Sequence, residues 1–327
     1  MSELPYLTMS ERYRLRLRRK YLRARAIRAG MGLRSLRHAV DPITSDDVLL
    51  FSTCRNEGAH LPEFLDYYRS LGVARFFIVD NGSEDDGPDF LRRQTDVFLW
   101  QTDRSYKATR YGMDWINALA SHYGAGHWIV CVDPDERLIY PHCETRDLRQ
   151  LTHWLETRGR RSMGAPLIDV YADPNDPKHV QFDPYGYRYE INPNLGNIWM
   201  QGGPRARVYF DHAPRKAPAL NKTPLVQWKR EYVFHSSTHN LLPRGLNATY
   251  HHEGAMLSGA LLHYKFTQNF ETKAQEELLR RQHYGNSIEY EQYAQNPNAA
   301  LSDAASRRYE NWQQLESLGL VSRGAWA

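Results

Sequence analysis

The chain has 327 residues, of which 41% are hydrophobic and 24% charged, with a formal net charge of +4. That length is long for one compact domain without clearly making two. The apolar share suffices for a buried core and the charged share is ordinary for a globular protein. No apolar run approaches the roughly 18 residues a membrane-spanning helix needs, which excludes that class.

The charge is unevenly placed. Residues 1–40 hold eleven Lys/Arg against Glu3 and Glu11, a balance of +9, while the rest of the chain carries −5. No apolar stretch follows these charges, so the start does not read as a secretory signal. Cys54, Cys131 and Cys143 are too few and too odd a set for a disulfide framework. They predict a reducing compartment, the cytoplasm, at or near the inner membrane face.

Residues 11–29 read as one basic helix ended by Gly30 and Gly32, and residues 41–47 as a linker of turn and cap residues. Then the hydrophobic period changes. Residues 48–52 form a short apolar run, a buried strand. Residues 61–71 are an amphipathic helix, with Leu61, Phe64, Leu65 and Tyr68 on one side. Residues 75–79 are a second strand. Ser83 with Asp86 fits a capping box opening a helix to residue 93. Residues 97–100 are a third strand, 107–123 a helix ended by Gly124, and 127–132 a fourth strand. A helix over 148–156 and a strand over 162–171 follow. Residues 172–230 are rich in Pro, Gly, Asn and Tyr and read as loops with short strands. Residues 270–282 and 302–318 read as two C-terminal helices.

Alternating strands and helices predict an α/β fold, a doubly wound, mainly parallel sheet covered on both faces. Ligands bind such sheets beyond the carboxyl ends of the strands. The expected site is therefore residues 53–57, 80–83, 101–103 and 133–136. Carboxylates collected at one edge repel one another unless a cation sits among them.

These segments carry a family resemblance. CRNEGAHLPEFLDYYRSLGVARFFIVDNGSEDDG, followed by HWIVCVDPDERLIYP, resembles the family 2 type of GT-A glycosyltransferases, in the bacterial subgroup whose strands end in RNE, VDNGS and DxDE. APLIDVYAD, GGPRARV, NKTPLV, STHN and GALLHYKF are similar to the same subgroup. The resemblance spans roughly residues 48–270. It implies a GT-A domain over 46–270, between a basic helical extension (1–45) and a helical C-terminal one (271–327).

The resemblance also implies a nucleotide-sugar donor, UDP-sugars favoured, a glycan or lipid-linked acceptor, and Mn²⁺ or Mg²⁺. A divalent cation bridging the diphosphate stabilises the leaving charge, and such ions prefer hard oxygen ligands. Asp135 would coordinate the metal, Asp133 would reach the ribose and the metal shell, and Glu136 would orient an acceptor or a metal water. Thr53, Arg55, Asn56 and Glu57 would wrap the base and ribose, with Asp80 accepting a hydrogen bond from the base and Asn81 also among the donor-binding residues. Asp80-Asn81-Gly82 is equally a tight turn, and Asn56 and Glu57 equally helix caps. His263 is a candidate third metal ligand or a core histidine. Lys222, Lys265, Arg205 and Arg207 are cations for the diphosphate.

Inverting transfer needs one carboxylate as base. Glu231 ranks first, Asp211 second and Asp169 third, with Asp173 and Asp183 behind them. His235 with His239, and the pair His251-His252, raise zinc, but no HExxH pattern accompanies them.

Three other classes compete. A nucleotidyltransferase needs a glycine-rich loop where residues 52–57 stand. A haloacid-type phosphatase needs a hydroxyl residue where Arg137 stands. A basic membrane- or nucleic-acid-binding module without catalysis rests on residues 11–37 alone; for the transferase an anionic membrane surface is a further expected partner and nucleic acid is not.

Overall fold

A computed structural model describes residues 6–38, 42–249, 256–266, 274–275, 278–280, 282, 284–296 and 299–326. In chain order, helix α1 (Met9–Gly30) and strand β1 (Arg34–Arg37) precede β2 (Val48–Cys54), α2 (Leu61–Ser70), β3 (Val73–Asp80), α3 (Gly87–Arg92) and β4 (Val97–Gln101). Next come α4 (Met113–Tyr123), β5 (Trp128–Cys131), β6 (Glu136–Ile139), α5 (Leu148–Thr157), β7 (Ser162–Asp173) and β8 (Asp176–Phe182). β9 (Arg188–Ile191), β10 (Ile198–Gln201), β11 (Asn221–Gln227), β12 (Val233–Phe234), β13 (Leu241–Leu242) and β14 (Ala260–Phe266) follow. A helix at Tyr284–Gln295, β15 (Arg307–Arg308) and a helix at Trp312–Ser317 end the chain.

One large sheet runs in the order β1-β4-β3-β2-β5-β11-β7-β14-β6, with β8 and β15 branching from β7. β2 to β5 pair in parallel, the Rossmann-like half that the alternating pattern predicts. Beyond β5 the sheet is mixed. β11 is inserted antiparallel between β5 and β7, and β14 lies parallel to β7 and antiparallel to β6.

The continuous apolar runs arise because both faces of the parallel half are covered. Leu50, Phe76, Ile78, Leu99 and Val130 face one core with Phe64, Leu65, Tyr68 and Leu151 of α2 and α5. Their neighbours Leu49, Phe51, Phe77, Phe98 and Ile129 face the other core with Trp115, Ile116 and Leu119 of α4. Phe51, Phe77 and Phe98 stack across three strands at 4.6 and 4.7 Å between centroids. Each fully buried ring stabilises the fold by roughly 1.5–3 kcal/mol.

Two expected helices are shorter than the pattern implies. Arg110 (φ 58°), Tyr111 (φ 58°) and Gly112 (φ 76°) are successive left-handed residues. They form a turn where helix was expected, so α4 begins only at Met113. A Cβ on Gly112 would lie 2.8 Å from Thr53 Cγ2, so glycine lets α4 start against β2. In the expected helix over 302–318, Arg307 and Arg308 instead pair with β8. The Asn311 side chain then accepts from Gln314 N–H and opens a helix only at Trp312. The helix expected over 270–282 falls largely outside the described residues. Among the described residues no helix is long and apolar enough to cross a membrane.

Candidate functional site

Parallel strands deliver their following residues to one sheet edge, and here hydrogen bonds stitch those loops together. Asn81 N–H donates to Cys54 O (2.9 Å), and its amide donates to the Thr102 and Arg104 carbonyls (3.0 Å each). Arg55 donates to the carbonyls of Asn81 (2.9 Å) and Gly82 and to Glu84 (3.0 Å). Asn56 N–H donates to Ser83 Oγ and Glu84 N–H to Asn56 Oδ1, both at 2.9 Å. Ser83 therefore braces the 53–57 loop rather than capping a helix. The residue ahead of α3 is Asp86, whose side chain makes no cap bond. Asp80 is fully buried, and its carboxylate accepts from Ser83 N–H (3.2 Å) and Gln101 Nε2 (3.1 Å). Glu57 supplies its carbonyl to His60 and Leu61 at the entry to α2.

Beside this loop cluster a narrow cleft of about 10 Å³, room for about one water, is walled by Ser52, Thr53, Asp133, Glu136, Lys222 and Thr238, among others. Lys222 stands at the start of β11, which brings its ammonium onto the Glu136 carboxylate and within 3.6 Å of Asp133 Oδ2. Burial pushes the Glu136 carboxyl up to about 6 against the pull of Lys222. Burial works against the Lys222 charge, but Glu136 and Asp133 outweigh it and raise its pKa. The hydroxyls of Ser52 and Thr238 are buried at the cleft wall without a protein partner. Two hydrogen-bonding groups and a cation thus face one space.

The second cluster hangs on β14. Its register sets His263 opposite Asp169 of β7 on one side and Glu136 of β6 on the other. His263 Nδ1 bonds Asp169 Oδ1 at 2.7 Å, and Nε2 lies 3.3 Å from Asp135 Oδ2. Arg205 Nε donates to the other Asp169 oxygen at 2.7 Å and reaches Glu289 at 3.2 Å. Burial opposes the charged imidazole, but Asp135 and Asp169 outweigh it and push His263 up to about 9. Burial would raise Asp169, yet Arg205 and His263 hold it below its ordinary range.

His263 carries a sign-defined prediction. Its folded value of about 9 lies above the ordinary 6.5. The stabilisation is therefore complete below 6.5 and is lost as pH rises through 9. In metal-free buffer, wild type should lose about 3 kcal/mol over that window, and His263→Gln should not. Melting curves of both proteins in chelator at about pH 6 and about pH 9.5 check it; parallel curves would mean the ring is uncharged.

Asp135 and His263 fit a divalent cation chemically. A carboxylate oxygen faces an imidazole Nε2 whose Nδ1 is fixed by a second carboxylate, the usual arrangement behind a metal-ligating histidine. Mixed carboxylate and imidazole donors suit Mn²⁺ better than Mg²⁺. The expected trio is not assembled, however. Among the described residues no three His, Cys, Asp or Glu side chains form a metal-holding group, because Asp133 leans toward Lys222 while Asp135 leans toward His263.

The proposed bases are displaced. β11 runs antiparallel to β5, with Gln227 opposite Trp128 at that strand's beginning. Glu231, four residues beyond Gln227, thus follows the strand end remote from Asp133. Asp211 is exposed and bonds its own neighbour His212. Both Asp169 oxygens are engaged, so it orients His263 rather than meeting an acceptor. Asp173 accepts from Asn175 N–H, and Asp183 is bound by Arg207 and Tyr171.

Three of the four expected diphosphate cations are also committed inward. Arg205 is held by Asp169 and Glu289, Arg207 by Asp183 and Asp303, and Lys265 by Glu289 at 3.0 Å. Only Lys222 of these faces the cleft. His235 Nδ1 bonds Asn240 and His239 Nδ1 bonds the Asn221 carbonyl, and among the described residues no three His, Cys, Asp or Glu side chains gather around either to hold zinc. His251 and His252 lie outside the described residues. Ser52, Thr238 and Glu289 were not anticipated. The STHN segment, which holds Thr238, was the one signal pointing to any of them.

No family model matches the chain. A glycosyltransferase family 92 protein of Ricinus communis is 26% identical over 98 residues, covering 28% of this chain. The match covers 16% of that relative's length.

Proposed function

We propose that this chain is a glycosyltransferase of the GT-A type, moving a sugar from a nucleoside diphosphate sugar to a glycan or lipid-linked acceptor. The observation that carries the reading is the carboxylate edge. Asp133 and Asp135 directly follow a buried parallel strand, with His263 braced behind them by Asp169 and Lys222 beside them. The partial likeness to a family 92 glycosyltransferase supports the transferase class in general. The family 2 assignment rests on the RNE, VDNGS and DxDE segments.

In this reading Asp135 and His263 would hold a divalent cation, Mn²⁺ above Mg²⁺, which when bound stabilises charge on the leaving diphosphate. The Lys222 ammonium supplies a fixed positive charge at the same edge. Ser52, Thr53 and Thr238 offer hydroxyls to the donor. Asp169 and Arg205 keep the His263 ring in one orientation. Transfer with inversion follows from the family 2 resemblance, and a product with retained anomeric configuration by NMR would count against it.

The test is a panel of UDP-, GDP- and dTDP-sugars with and without Mn²⁺, reading melting temperature and nucleotide release. A ligand that binds only the folded protein raises its apparent stability. One nucleotide class, UDP favoured, should raise the melting temperature in a Mn²⁺-dependent way and release nucleoside diphosphate. No shift and no release with any donor would overturn the reading.

A further inference from the structure

Helix α1 has two apolar faces. Leu22, Ala26 and Ala29 are buried on the body, Leu22 against Val233 and Leu242 and Ala29 in the core shared with α4. Arg25 fixes the helix's rotation by bonding the buried Asp114 carboxylate at 2.9 Å. That rotation turns a second stripe outward: Met9, Tyr13, Leu17, Tyr21 and Ile27, each between 46% and 77% exposed, with the small exposed Ala24 among them. At 100° per residue these positions fall within an arc of about 120°. Arg12, Arg16 and Arg23 flank one side, Arg14 and Arg18 the other, and Lys20 and Arg28 lie within it. A helix apolar on two opposed faces has almost no net amphipathic direction, so its periodicity looks irregular in sequence.

We propose that this outer face docks the protein, helix in plane, on an anionic lipid surface. The helix carries nine Lys/Arg against Glu11, and an interfacial helix pairs such a cationic rim with an apolar strip entering the headgroup boundary. Tyrosines suit that boundary, with ring and hydroxyl on its two sides. A second copy seated on the face would set these cations against their own counterparts. A soluble polyanion would satisfy the cations and leave the stripe in water. Docking needs no sugar transfer, so it stands or falls independently of the transferase reading.

The test is co-sedimentation of the full chain with vesicles of phosphatidylcholine containing phosphatidylglycerol, and of phosphatidylcholine alone, at low and high salt. Binding is expected to the anionic vesicles only, and to weaken with salt. Arg14→Gln with Arg16→Gln should weaken it by roughly fivefold per charge. Tyr13→Ser with Leu17→Ser should weaken it by at least about tenfold. All four positions are exposed, so the melting temperature should not move. No sedimentation at low salt would overturn the proposal. So would undiminished vesicle binding by the Tyr13→Ser, Leu17→Ser protein, since charge alone would then suffice. A dimer in gel filtration that Leu17→Ser dissociates would place a second copy on the face, and would overturn it too.

Discussion

Replacing Asp135 by Asn is expected to lower sugar transfer by roughly a hundred- to a thousandfold. The change keeps the side chain's shape and removes its charge. The main-chain tie remains, because Tyr264 N–H donates to the Asp135 carbonyl at 2.8 Å. The fold should therefore survive, as circular dichroism and gel filtration would show. Two consequences should appear together. The neutral amide is a poorer ligand for a hard cation, so Mn²⁺-dependent donor binding should fall with activity. The imidazole 3.3 Å away also loses one of its two carboxylates, Asp169 remaining at 2.7 Å. The stability lost between neutral and alkaline pH in metal-free buffer should then shrink, since Asp135 is the larger cause holding His263 charged. Full transfer by Asp135→Asn on the wild type's substrate would remove Asp135 from the site.

The parallel half of the fold was readable because its signals are local. Buried runs such as Val48 to Ser52 and the DNG turn after Asp80 lie within a few residues of one another. The rule for parallel sheets then sends their ends to one edge. The pairings that shape the site are not local. Lys222 meets Glu136 across 86 residues, and His263 meets Asp169 across 94. Both contacts exist only because β11 and β14 insert into the sheet out of chain order. No periodicity encodes strand direction, and direction is what moved Glu231 away from Asp133. The same absence of long-range information made Arg205 and Lys265 look like free cations, when Glu289, in a late helix, neutralises both. In α1 the two apolar stripes lie on opposed sides and cancel, so only its basic character stands out in the sequence.

Lys222→Met should be the most destabilising single change at the site, costing about 3–5 kcal/mol. The substitution keeps much of the side chain's volume, so the loss is electrostatic. Glu136 is 1% exposed, and one of its oxygens accepts from Asp133 N–H at 3.2 Å. Without the ammonium its charge would sit in the core with little compensation. Burial already holds this carboxyl up at about 6, and removing Lys222 should raise it further. A raised carboxyl takes up its proton more readily folded than unfolded. The deficit should therefore be largest at neutral pH and shrink as pH falls toward 6 and below. Adding Glu136→Gln to Lys222→Met should recover most of the lost stability, because the stranded charge is gone. Donor binding should not return with it, since the cation facing the cleft is still missing. That split separates the two roles of Lys222. If the double variant melts like wild type and binds donor like wild type, the lysine only neutralises Glu136. If the single variant melts within about 1 kcal/mol of wild type, the pair is not a stabilising element at all.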